Sequence, residues 1–158
     1  MISGIDGVLC PSIFASDGNQ DRHSSEFQKQ LLAVLAFPWV TEAVCSVFRT
    51  ARIVIFISGR GVYLNDITTT WVRERLGIHS FYIVNAGLTT EDRDPDAKIA
   101  SFDKAICQCV RARKAPHEQI HVLEDDPVNL DKLLEMARDL ADVVVYEVRD
   151  GKGCIVCP

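Results

Sequence analysis

The chain has 158 residues, 47% of them apolar, which is enough for one domain around a single sizeable core, so that 1–158 reads as one unit. Lys and Arg number 17 against 22 Asp and Glu, and the net charge of -5 offers no general attraction for nucleic acid or an anionic membrane. No apolar run approaches the roughly 20 residues of a membrane helix, and Met1 leads into the first motif without a basic and then apolar leader, so a soluble, cytoplasmic protein with no membrane partner is expected.

In chain order, Ile2–Ser3 is a stub of strand that runs into the acidic, glycine-containing stretch Gly4–Leu9. Residues 10–25 form a long polar segment, expected to fold over the end of the sheet as a flap. Glu26–Leu35 and Trp39–Phe48 have helical periodicity, and Arg52–Ile57 is an unbroken apolar run suited to a buried parallel strand. A helix is expected over Asp66–Leu76, closed by Gly77, followed by a strand at Phe81–Val84 and a loop rich in Asp and Thr. A helix at Ala97–Lys114, a strand at Gln119–Leu123, a helix at Val128–Leu140 and a last strand at Asp142–Val148 complete the pattern. This repetition predicts an α/β fold of three layers, an open, mostly parallel, Rossmann-like sheet flanked by helices. Trp39 and Trp71 fall on the predicted helices and should pack against the sheet.

Of the six cysteines, Cys10, Cys45, Cys107 and Cys109 sit in or beside core-like segments and read as reduced thiols. Cys154 and Cys157 form a C-x-x-C pair, which is half of a structural zinc site; its plain reading is an incidental pair on a terminal strand. His23, His79, His117 and His121 share no ligand spacing and read as surface or core residues.

The ligands of an open parallel sheet bind at the carboxyl ends of its strands. Asp6, the Ser58-Gly59-Arg60 triplet and the Glu124-Asp125-Asp126 triplet each follow a predicted strand, so all three gather at that edge. A hydroxyl with nearby backbone N–H groups can hold a phosphate oxygen, a carboxylate cluster a hard cation, and a lysine the phosphate charge. Phosphoryl chemistry is the class suggested. The plain readings are a turn at Asp6-Gly7, a strand exit at Ser58, and a helix cap at Asp126 with Pro127 in the first turn.

Together these motifs resemble the haloacid dehalogenase (HAD) superfamily of phosphohydrolases. Gly4–Leu9 (GIDGVL) is similar to its D-x-D-G-(T/V)-(L/V) motif in every place but the first, Ile53–Arg60 (IVIFISGR) to its second, and Ile120–Asp126 (IHVLEDD) to its fourth. Lys98, with Lys104 as the alternative, stands for the lysine of its third motif. The order is right and nearly the whole chain is spanned, without room for a large cap domain. The resemblance implies Asp6 as general acid and base, Ser58, Gly59, Arg60 and Lys98 as phosphate ligands, and Mg2+ held by Asp6 and Asp125 with Glu124 or Asp126.

The resemblance places the family's attacking aspartate at Gly4. Ser3 should face away from the site, and Val8 stands where a shifted motif would need its second carboxylate. Loss of a covalent nucleophile removes several orders of magnitude in rate. The expectation is a catalytically impaired phosphatase fold that binds a phosphorylated small molecule, a nucleotide or a phosphoprotein, with a nucleic-acid end as a lesser candidate. The alternative is an active Mg2+-dependent phosphomonoesterase with an unorthodox attacker. A receiver-like α/β relative is a further alternative fold.

Overall fold

The computed structural model describes residues 1–12, 24–86, 95–115, 118–140, 142–149 and 151–157. Among these, six strands form one sheet in the order β3-β2-β1-β4-β5-β6: β1 (Ile2–Gly4), β2 (Ile55–Ser58), β3 (Tyr82–Asn85), β4 (Ile120–Glu124), β5 (Val143–Val148) and β6 (Cys154–Val156). The first five are parallel, and β6 returns antiparallel along β5. The α/β architecture expected from the sequence is therefore present. Helices α1 (Ser25–Ala33), α2 (Glu42–Thr50) and α3 (Asn65–Leu76) precede β3; α4 (Pro95–Arg111) and α5 (Pro127–Arg138) follow it.

The strand order reverses direction between β1 and β4, because the chain builds outward to β3 and then crosses back. The register there sets Ile2 opposite both Ile55 and Val122. A sheet of this kind opens a crevice beyond the carboxyl ends of the two strands where the order reverses. Those ends are Gly4 and Glu124.

Alternation along the strands splits the core into two apolar layers. Ile2, Ile55, Ile57, Val122 and Val145 meet Phe102, Ile106 and Leu133 of α4 and α5 on one face. Phe56, Leu123 and Val148 meet Phe48, Trp71 and Leu76 of α2 and α3 on the other. Fully buried Trp71 donates its indole N–H to the Val34 carbonyl at 2.8 Å, which fastens the end of α1 to α3. Local signals set the helix ends: the hydroxyls of Ser24 and Thr41 cap α1 and α2, and Gly77 adopts the left-handed conformation (φ 63°) that stops α3.

Four expectations need correction. Trp39 lies before the Thr41 cap and outside α2, since that cap supplies a hydroxyl acceptor where Trp39 has none. Cys107 is exposed on α4, whereas Cys10, Cys45 and Cys109 are buried; all six cysteines are unpaired. Residues 52–54 precede β2 despite their apolar run, and β6 extends the sheet beyond the strand expected to be last. Residues 13–23 of the expected flap, most of the Asp- and Thr-rich loop, and His23 and His117 lie outside the described residues. No helix among the described residues is long and apolar enough to cross a membrane.

Candidate functional site

Beyond β1 the chain turns back on itself. Gly7 N–H donates to the Cys10 carbonyl at 2.8 Å, and the N–H groups of Leu9 and Cys10 both reach the Ile5 carbonyl, at 2.8 and 3.2 Å. Ile5, Val8, Leu9 and Cys10 are buried, so the loop is anchored by its apolar side chains while Asp6 and Gly7 are only partly buried at the crevice. Gly7 holds φ at 83°, a conformation open to glycine and strained for other residues.

The Asp6 carboxylate is gripped by Arg60. Nε reaches Asp6 Oδ2 at 2.9 Å and Nη2 reaches Oδ1 at 2.7 Å, a two-pronged ion pair whose guanidinium is only 1% exposed. Nη1 donates to Thr68 Oγ1 on α3 at 3.2 Å, and Cys10 Sγ lies 3.9 Å from Nη2. The backbone explains this inward turn. Ser58 Oγ accepts from Arg60 N–H at 3.1 Å, and the Asn85 amide on β3 donates to the Arg60 carbonyl at 2.9 Å. Arg60, expected to hold phosphate, is thus directed into the protein, because a buried guanidinium needs a carboxylate and Asp6 supplies it. Gly59 remains exposed, with open space where a side chain would project.

A second cluster forms at the end of β4. Lys98 Nζ on α4 donates to Glu124 Oε1 at 2.6 Å, and the same oxygen accepts from the Asp126 N–H at 3.2 Å and the Asn129 amide at 3.4 Å. Glu124 is completely buried, its Oε2 accepts no hydrogen bond, and that oxygen stands 3.3 Å from where a Gly4 side chain would begin. Asp125 presses on Gly7 so closely that a Cβ there would come within 2.0 Å of its Oδ2. Burial, followed by the neighbouring Glu124 charge, pushes the Asp125 carboxyl up to about 6, with Lys98 pulling the other way. Asp126 caps α5, its Oδ1 accepting from Val128 N–H at 2.9 Å, with Pro127 in the first turn. Lys104, the alternative to Lys98, is exposed on α4.

The sequence-predicted residues therefore form two groups joined by the loop after β1: Asp6 with Ser58 and Arg60, and Asp125 with Glu124, Lys98 and Asp126. Substitute nucleophiles are poor. Ser3 is buried and donates its hydroxyl to the Gly4 carbonyl at 2.7 Å. Burial foremost, then the charge of Asp6, pushes the Cys10 thiol up to about 12, far from the reactive thiolate range. The donor set does not fit Mg2+ as arranged. Both Asp6 oxygens lie in the Arg60 fork and Asp126 caps a helix, whereas a hard cation gathers about six oxygens. Among the described residues no three acidic, His or Cys side chains group so as to hold a metal ion.

Thr68 and Asn129 escaped the sequence reading. Thr68 had one signal, its place in the first turn of the helix that follows the Ser58-Gly59-Arg60 strand exit; Asn129 had none beyond its nearness to the acidic triplet. The C-x-x-C pair straddles the sheet. Cys157 packs with the α4 and α5 layer while Cys154 is exposed on β6, and three residues of extended chain span about 10 Å, too far for an internal disulfide. His121 lies against the Tyr146 hydroxyl at 3.0 Å, and His79 is exposed. Comparisons of the chain with protein-family models, curated proteins and solved structures return no match.

Proposed function

We propose that this chain is a HAD-like phosphatase fold without the covalent chemistry, acting in the cytoplasm as a binding module for a phosphorylated small molecule, nucleotide or phosphoprotein. The observation that carries the reading is the Asp6–Arg60 pair. A general acid must exchange its proton with the leaving group, and a carboxylate held through both oxygens by a buried guanidinium is restrained from doing so. With Gly4 in place of the attacker, neither of the two carboxylates that phosphoryl transfer would use is ready.

Of the expected phosphate ligands Arg60 is turned inward and Ser58 is buried, whereas Gly59 and Lys98 stay approachable. The open space at Gly59 leaves the strand exit beside Ser58 approachable, and Lys98 keeps 21% of its side chain exposed at the crevice. A phosphate entering there would draw Lys98 from Glu124 and use the backbone N–H groups of the loops after β1 and β2.

The test pairs turnover with binding. An aryl phosphate assay with Mg2+ is expected to show no hydrolysis, either by the chain or by Gly4→Asp. In that variant the new Cβ would meet Val8 Cγ2 at 2.8 Å and Glu124 Oε2 at 3.3 Å, so a carboxylate added there is crowded and faces another acid. Inorganic phosphate or a nucleoside monophosphate should raise the melting temperature of the chain, and Lys98→Ala should abolish the rise. Hydrolysis that disappears with chelator would overturn the reading in favour of the active enzyme. An unchanged melting temperature would remove the phosphate ligand.

A further inference from the structure

A groove of about 320 Å³ runs along the outer side of β3, lined by residues other than those of the crevice. One wall is α3, where Asn65, Thr69 and Arg73 are spaced four apart and so share a face. The other is the strand itself, with Tyr82 and Ile83, and His79 lies at the approach to it. β3 is at the end of the strand order, and among the described residues no strand pairs with its outer edge.

Three features of this groove ask for an occupant. First, its backbone offers hydrogen bonds. Tyr82 N–H donates to the Val54 carbonyl and Ala86 N–H to Ser58, so these residues face β2, and the alternation of a strand turns the peptide groups of Ile83 and Asn85 to the open edge. Second, Asn65 Oδ1 is shielded from solvent yet accepts no hydrogen bond, and a buried acceptor of this kind gains from a donor brought by a ligand. Third, the exposed Arg73 guanidinium, which lines the groove with His79, has no carboxylate partner among the described residues and so leaves an unpaired positive charge there on a chain of net charge -5. Tyr82 is 68% exposed at the same edge, an aromatic surface left for packing.

We infer that the β3 edge and α3 form a docking groove for an extended acidic peptide segment of a partner protein, added to the sheet as a further strand. Main-chain bonds to Ile83 and Asn85 supply the pairing, and acidic side chains on the α3 side meet Arg73 and His79. Alternation in the peptide would set apolar residues on the other face, toward Tyr82. This proposal is independent of the phosphate reading: it uses the outward main-chain groups of Ile83 and Asn85 and none of the crevice's charged side chains, although the Asn85 amide also holds the Arg60 carbonyl.

The test is a titration of the 15N-labelled chain with a peptide of alternating valine and glutamate, followed by amide chemical shifts. The expected result is saturable shifts centred on Ile83 and Asn85, weakened by salt. Replacing each glutamate by lysine should abolish them, and so should N-methylation of the peptide amides. Arg73→Gln, an exposed substitution whose folding is checked by circular dichroism, should weaken binding by about fivefold or more. Absence of shifts at Ile83 and Asn85, equal binding of the lysine peptide, or an unaffected Arg73→Gln would each overturn the proposal. Inorganic phosphate alone is the remaining arm. If it displaces the peptide and the N-methylated peptide binds as well as the plain one, the groove is a simple anion site and the strand pairing is wrong.

Discussion

The two halves of the crevice balance charge in opposite ways. On the β2 side one carboxylate, Asp6, meets one guanidinium, and the fork of Arg60 satisfies both oxygens. On the β4 side Lys98 is bonded to Glu124 and faces the charge of Asp125 as well; Glu124 has an oxygen that accepts nothing, and Asp125 is pushed toward its neutral form. The difference shows where the fold is finished and where it holds acid in excess. A paired buried charge behaves as a structural bolt, whereas crowded carboxyls respond to pH and to any cation or proton that arrives.

The largest effect should come from breaking the finished half. Arg60→Ala leaves the Asp6 carboxylate, only 14% exposed, without its partner, and a loss of about 3–5 kcal/mol is expected in urea denaturation. The double variant with Asp6→Ala should lose less than the sum of the single changes, because it strands no charge. Next in size is Gly7→Ala, which combines a φ of 83° with a contact of 2.0 Å to Asp125 Oδ2. A loss of about 2–3 kcal/mol is expected, and Asp125→Ala in the same chain should restore the part due to the contact, leaving about 1 kcal/mol of backbone strain. Full additivity in that pair would mean Asp125 does not press on the loop.

The contrast between the halves was only partly legible in the sequence. The β-α alternation carried the sheet, since β-branched runs such as Ile53–Ile57 and Ile120–Leu123 are long enough to mark buried strands. It could not carry β6, a three-residue strand that is exposed throughout and reads as tail. Glycine and acidic clusters at strand ends located the crevice, and Asp126 with Pro127 announced the start of α5. The direction of Arg60 was hidden because it is decided by a carboxylate 54 residues away. A motif shows which residue types gather at an edge, but not whether they face a ligand or one another. Glu124 shows the same limit: its neighbour in space is Gly4, and what matters there is the absence of a side chain.

The crowded half gives the smaller, pH-dependent predictions. The Asp125 carboxyl rises from an ordinary 3.8 to about 6 in the folded protein, so the folded state binds its proton more tightly than the unfolded state. Stability from this group is fully present below pH 3.8 and disappears as pH rises through about 6. Asp125→Asn should therefore stabilise the chain at pH 7–8, by about 1 kcal/mol once the partial exposure of the group is allowed for, and flatten the profile between pH 4 and 6. Unfolding midpoints across that range measure it, and a variant that is less stable at pH 8 would show that the ionised carboxylate does a job the neutral amide cannot. The smallest effect belongs to Glu118, far from the crevice, which two bonds from Arg52 and the Lys114 N–H hold down from 4.5 to about 2. Its sign is opposite. The contribution is present above pH 4.5 and fades as pH falls toward 2, and solvent screening at this exposed pair keeps it slight. Added salt discriminates the two: it should erase the difference made by Glu118→Gln, while the Asp125→Asn difference, set mainly by burial, should persist.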